Sequence, residues 1–182
     1  GRRLALLGHS EGGLIAPLVA AGDSALRGIV LLAGPAHTGR RIIEFQNRYA
    51  IERSPNIPPA ARDSMLRVAM HGVDSAAASQ PWIKFFLDHD PLVTARKVGT
   101  PVLILQGATD QQVTPDQAPE LERAFREGGN RDVTMQLFPA TNHLFLADPD
   151  GNPAGYMTLK PTTVRPDVLR VIVEGLSRHL VR

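Results

Sequence analysis

Two stretches limit most severely what this chain can become: Gly28-Ile29-Val30-Leu31-Leu32-Ala33-Gly34 and Pro101-Val102-Leu103-Ile104-Leu105-Gln106-Gly107. Each has the length of a strand, is bounded by glycine or proline, and lacks the polar and apolar alternation of a strand with one face in water. A strand that is apolar throughout is covered on both faces, the hallmark of a parallel sheet sandwiched between helices. Parallel neighbours cannot be joined by a hairpin, so each must be followed by a crossover, usually a helix. The predicted class is therefore α/β.

The remaining elements fit that frame. Residues 3–7 form a third apolar run, followed by Gly8, by Gly12 and Gly13, and by an apolar stretch from Leu14 to Ala21. This reads as strand, tight turn and helix, with a local kink expected at Pro17. In Val133–Phe138 residue types mostly alternate, which predicts a half-exposed strand nearer a sheet edge and brings the count to four. Pro115 to Arg126 carries Leu121 and Phe125 four residues apart and stops at Gly128-Gly129, a helix with a glycine terminator. A second helix is predicted over 166–180, with Pro166 at its first position. Val168, Leu169, Ile172, Val173, Leu176 and Leu180 form the face that packs on the sheet.

Residues 36–91 are too many for a simple crossover. Helical patterns run over Arg40 to Arg53 and Pro59 to Ala78, separated by Ser54-Pro55-Asn56-Ile57-Pro58, and a third short segment follows Pro81. The expected organisation is a core of 1–35 and 92–182 with a helical cap at 36–91. Trp82, Phe85 and Phe86 are read as core packing, with the lining of an acyl pocket as the alternative.

Composition removes several classes of function. With 20 Lys and Arg interspersed among 18 Asp and Glu, net charge +2, no basic run tracks phosphates, so nucleic acid is not an expected partner. Cysteine is absent, which excludes a disulfide framework and thiolate metal sites. No apolar run reaches the roughly 18 residues of a membrane span, so a soluble protein with no membrane partner is expected. The run after Gly1 reads as a strand and not as a signal peptide, so any targeting signal, and with it the localisation, lies outside this chain. Asp148-Pro149-Asp150-Gly151-Asn152 has calcium-loop spacing, but Pro153 stands where an EF-hand needs glycine and no bidentate glutamate follows. Neither metal nor cofactor is expected.

The chemistry is carried by Gly8-His9-Ser10-Glu11-Gly12. Small residues flank the serine as a strained strand-to-helix turn requires if its side chain is to stand above the sheet. A hydroxyl is a poor nucleophile at neutral pH and needs a base, which in turn needs an orienting group. Asp110 follows the third strand in Gly107-Ala108-Thr109-Asp110, and His143 follows the fourth in Pro139-Ala140-Thr141-Asn142-His143. In a parallel sheet all three sit at the carboxyl rim, where open α/β sheets bind ligands. Asp110 has a competing reading as a turn or helix-capping residue, with Asp116 and Asp132 as weaker substitutes. His9, His37, His71, His89 and His179 compete with His143, but of the six only His143 follows a strand on that rim, and His9 is expected to pack inside the turn.

Taken together, Gly8-His9-Ser10-Glu11-Gly12-Gly13, Leu105-Gln106-Gly107-Ala108-Thr109-Asp110-Gln111-Gln112-Val113 and Asn142-His143-Leu144-Phe145 resemble the α/β-hydrolase superfamily, over nearly the whole chain. Trp82-Ile83-Lys84-Phe85-Phe86-Leu87-Asp88-His89-Asp90-Pro91 looks like the corresponding segment of serine carboxylesterases related to prolyl-oligopeptidase catalytic domains. The resemblance implies Ser10 as nucleophile, His143 as general base and then acid, Asp110 as its orienter, and the backbone N–H of Glu11 as one oxyanion donor. It implies hydrolysis of a small-molecule carboxylic ester, short acyl chains favoured by the small cap, with a peptidase as the alternative. The family has about four strands before the turn, whereas seven residues precede Gly8. The expectation is thus the C-terminal half of the fold, lacking the second oxyanion donor. The missing half or a second chain would complete the sheet, and an inactive half-domain awaiting such a partner is the rival reading.

Overall fold

The computed structural model describes residues 4–180. Arg3, where the first predicted strand begins, and the side chains of His179 and Leu180 lie outside those residues. The chain divides into two units, Gly1–Ala36 with Pro91–Arg182 and His37–Asp90.

In the first unit, β1 (Leu4–His9), β2 (Leu26–Leu32), β3 (Val102–Gly107) and β4 (Val133–Phe138) form one parallel sheet in the order β1-β2-β3-β4. His9 lies opposite Leu32, Leu32 opposite Leu105, and Gly107 opposite Phe138, so the strands end together and the segments after them share one rim. The apolar runs Ile29–Leu32 of β2 and Val102–Leu105 of β3 have the predicted cause. Ile29, Leu31, Val102 and Ile104 point to one face, where they meet α1 (Glu11–Ala20), α5 (Pro91–Ala95) and α6 (Gln117–Glu127) through Ala16, Ala20, Ala95, Leu121 and Phe125. Val30, Leu32 and Leu105 point to the other, against α7 (Pro166–Leu180) through Val168, Ile172 and Leu176. Each such aliphatic side chain contributes about 1.5–3 kcal/mol on burial.

β4 pairs only with β3 and exposes Thr134, Gln136 and Leu137, the edge position its alternation predicts. β1 is the other edge among the described residues, with Leu4 and Leu7 exposed. On α7 the predicted face is too wide. Leu169 and Val173 are exposed, and Val171 takes a place on the sheet, because one flat sheet face can cover only a narrow stripe of a helix.

The second unit is helical: α2 (Gly39–Arg53), α3 (Pro59–Ser79) and α4 (Pro81–Asp88). Ile42, Tyr49, Leu66 and Leu87 are buried, and the Phe86 ring lies against Gly39. Trp82 and Phe85, expected in a core, are instead exposed and form a ladder. Their ring centroids lie 5.5 Å apart, and Phe85 stacks on His89 at 4.8 Å. Among the described residues no helix is long and apolar enough to cross a membrane.

The turn after β1 depends on close backbone approach. A Cβ at Gly8 would run into the Gly12 carbonyl group, and both atoms belong to backbone that cannot yield, whereas a Cβ at Gly12 would meet nothing. Gly8→Ala should therefore lower unfolding stability by about 3 kcal/mol, the upper end for overpacking. Gly12→Ala should hold or raise it, since alanine is the better helix former. Urea midpoints of the two variants check this.

Candidate active site

Ser10 is the single residue between β1 and α1, and its backbone is held at φ 55 and ψ −117. Positive φ is uncommon outside glycine and persists only where the surroundings over-determine it. Here Ser10 N–H donates to the Leu32 carbonyl at 2.9 Å, and the Ser10 carbonyl accepts from Gly13 N–H at 2.8 Å. The side chain makes no helix-capping bond and so remains outside the helix. All four described non-glycine residues at positive φ, Ser10, Ala33, Ala140 and Phe145, follow the ends of β1, β2 or β4. Strain is concentrated on the same rim.

Asp110 is fully buried, and donors surround its carboxylate. Oδ1 accepts from the backbone N–H groups of Gln112 at 2.8 Å and Val113 at 3.0 Å. Oδ2 accepts from Gln106 Nε2 at 3.0 Å and lies 2.8 Å from His143 Nδ1. The competing reading of Asp110 as a turn residue is thus also correct, because one oxygen builds the turn and the other holds the histidine. His143 pairs with Asp110 and not with Asp116 or Asp132. Gln106 directs its amide nitrogen toward Asp110 and the Val113 carbonyl and leaves Oε1 buried without a protein partner, which costs about 1–3 kcal/mol.

A carboxylate only accepts, so Nδ1 of a neutral His143 carries the proton and Nε2 is the basic nitrogen. His143 is 4% exposed. Among the described residues no hydrogen bond joins its ring to the Ser10 hydroxyl. Nucleophile–base contacts are commonly long without substrate and tighten when it binds.

The loop that carries His143 is fastened by residues that sequence reasoning left aside. Buried Asn142 accepts at Oδ1 from the N–H groups of Leu144 and Leu146 and donates from Nδ2 to Asp148 Oδ2 at 3.0 Å. Asp148 Oδ1 takes the N–H groups of Asp150 and Gly151, so the calcium-like spacing serves a turn. Thr109 Oγ1 donates to the Asp148 carbonyl at 2.6 Å, tying the loop after β3 to the loop after β4. Arg165 braces the same loop from outside, donating to the Pro139 carbonyl and Thr141 Oγ1. Tyr156, on the six-residue 3-10 helix Pro153–Thr158, is half-buried over it, and burial pushes its phenol above the usual tyrosine range, with the Gln112 side chain and the His143 backbone at its oxygen. The one signal for the Asn142–Asp148 pair was the density of Asn, Asp and Gly after β4, which marks turns in general.

His9 departs from expectation as well. Its ring is not packed inside the turn but projects to the rim, where Nε2 lies 2.8 Å from the His143 carbonyl. Asn142→Ala removes three hydrogen bonds and leaves Asp148 short of a donor, so unfolding stability should fall by about 2 kcal/mol in urea titration. Asn152→Ala, which loses one exposed bond to Ala154 N–H, should change it little.

Residues 1–151 match the model of the alpha/beta hydrolase family. Esterase EstD of Thermotoga maritima is 28% identical over 193 residues, an alignment that takes in 99% of this chain and 43% of EstD. The chain therefore spans less than half the length of that relative. Of solved structures, a Paleococcus ferrophilus monoacylglycerol lipase superposes with a TM-score of 0.58 at 20% identity, covering 96% of this chain and 68% of its own. The Pyrococcus furiosus esterase Pf2001 superposes at 0.57 with 13% identity, over 97% and 53%. At such identities the structures speak for the fold, and they agree with the parallel sheet flanked by helices. With the family model matched over most of its length, the chain belongs to the alpha/beta hydrolase family.

Proposed function

We propose that the protein containing this chain hydrolyses carboxylic esters through an acyl-enzyme formed on Ser10. The observation that carries the proposal is the buried 2.8 Å contact between His143 Nδ1 and Asp110 Oδ2, on the same sheet rim as a serine held at positive φ. In this reading Ser10 Oγ attacks the ester carbonyl carbon while His143 Nε2 takes the hydroxyl proton. The carbonyl π-electrons move to oxygen, and the backbone N–H of Glu11, at the positive end of α1, donates to the oxyanion. Collapse breaks the bond to the alcohol, which leaves with the proton from His143. Water then repeats the sequence, giving the acid and free Ser10. Asp110 keeps its negative charge throughout and stabilises the imidazolium.

Ester substrates are also supported by the similarity to two proteins named as esterases, EstD and Pf2001. The segment His37–Asp90 is proposed as the cap, and its small size favours short acyl chains. The exposed edge of β1 supports a second reading, in which activity requires a further strand paired there. Fluorophosphonate labelling of a chain that elutes as a monomer counts against it.

Nitrophenyl acetate hydrolysis should vanish to background in Ser10→Ala. It should fall by about three to four orders of magnitude in Asp110→Asn, where the imidazole loses its orienting acceptor. Nitrophenyl decanoate should be cleaved more slowly than the acetate. A Ser10→Ala protein with full activity would overturn the assignment.

A further inference from the structure

His143 is held at two places, and the assignment above uses one. Its ring is fixed by Asp110, while its backbone carbonyl accepts from His9 Nε2 at 2.8 Å. A carbonyl oxygen cannot donate, so Nε2 of His9 must carry the proton and a neutral His9 has a bare Nδ1. The two imidazoles also touch, with centroids 4.8 Å apart and planes inclined at 45°, and the His9 ring meets Phe145 edge-on at 6.3 Å. His9 is the last residue of β1, joined by one peptide bond to Ser10. From it the side chain reaches directly to the loop after β4, so the nucleophile's turn and the base's loop are linked by a single rigid ring.

We propose that His9 is a positioning residue, which as its neutral Nε2–H tautomer fixes the His143 backbone relative to Ser10. The role rests on His143 being the base. Much of the His9 ring is open to solvent, but the part against His143 is desolvated, and that desolvation lowers its pKa from the usual histidine value. The titratable groups that face it are His143 and, beyond it, Asp110. At neutral pH His9 is therefore an uncharged donor. At lower pH a proton on Nδ1 places a cation beside the ring that must itself become cationic during the reaction, and the reaction slows.

Two variants separate the donor from the ring. His9→Gln keeps an N–H donor on a flexible stem, and His9→Phe keeps a ring without a donor. With nitrophenyl acetate, His9→Phe should lose about 3- to 10-fold in kcat with KM unchanged, the range set by one net hydrogen bond, and His9→Gln should stay near the parent. The acid limb of kcat/KM should flatten from two protons to one in His9→Gln. Nitrogen NMR of the imidazoles gives a readout that needs no turnover. It should show His9 as the Nε2–H tautomer, and His143 ring signals should broaden in His9→Phe. An Nδ1–H tautomer at His9, equal losses in both variants, or a His9→Phe protein like the parent in both readouts would overturn the proposal. Failure of the ester reading is distinct. It appears as a Ser10→Ala substitution without effect on turnover, whereas the NMR result decides separately whether His9 holds the His143 backbone.

Discussion

The carboxylate of Asp110 has no exposed surface, and a buried charge left without partners costs several kcal/mol. Its compensation organises the whole rim. Two donors are the N–H groups of Gln112 and Val113, which forces the chain after β3 into a tight turn. A third is Gln106, from β3 itself, whose amide is turned toward the carboxylate at the expense of its own carbonyl oxygen. The fourth is His143, which must come from the next strand. One charge therefore fixes the shape of one loop and the approach of another, and Thr109 and Asp148 tie the two together a few ångströms away.

The sheet makes this affordable. Its strands end in register, and its central pair is packed on both faces, so the segments beyond them begin from fixed points. Ser10 and Ala33 take positive φ at those points, and Ala140 and Phe145 do so further along the segment after β4. None is glycine, so the strain is paid by surrounding structure: the Ser10 backbone is hydrogen-bonded on both sides, and Phe145 is buried with its N–H donated to Asn142. Flexible loops would relax such conformations and lose the spacing among the reactive groups.

Much of the architecture was legible from local patterns. β3 and β4 fall within a residue of the apolar runs that announced them, and the helices over 166–180 and 117–127 were marked by apolar spacing with proline or glycine at their ends. The five-residue α5 and the 3-10 helix at Pro153–Thr158 were not, since neither is long enough to show a period. Exposure was the weaker inference. Leu169, Val173, Trp82 and Phe85 are apolar residues at helical spacing, yet they face solvent because spacing says nothing about how wide a stripe the neighbour covers. In the site, Asp110 and His143 could be found because each follows a strand, while the partners that fasten them, Gln106, Asn142 and Asp148, had no chemical signature of their own.

The amino-acid sequence alone determined a parallel α/β sheet, the strained turn at Ser10, and the order in which a serine, an aspartate and a histidine reach one rim. These follow from period, residue type and the rule that parallel strands end on the same side. Tertiary structure decided which atoms meet. That Asp110 divides its two oxygens between a turn and His143, and that His9 reaches from the end of β1 to hold the His143 carbonyl, depends on residues 33 and 134 positions apart being brought together. Hydrogen bonds of that kind are set by directions and distances to within fractions of an ångström, and no periodicity along a chain encodes them.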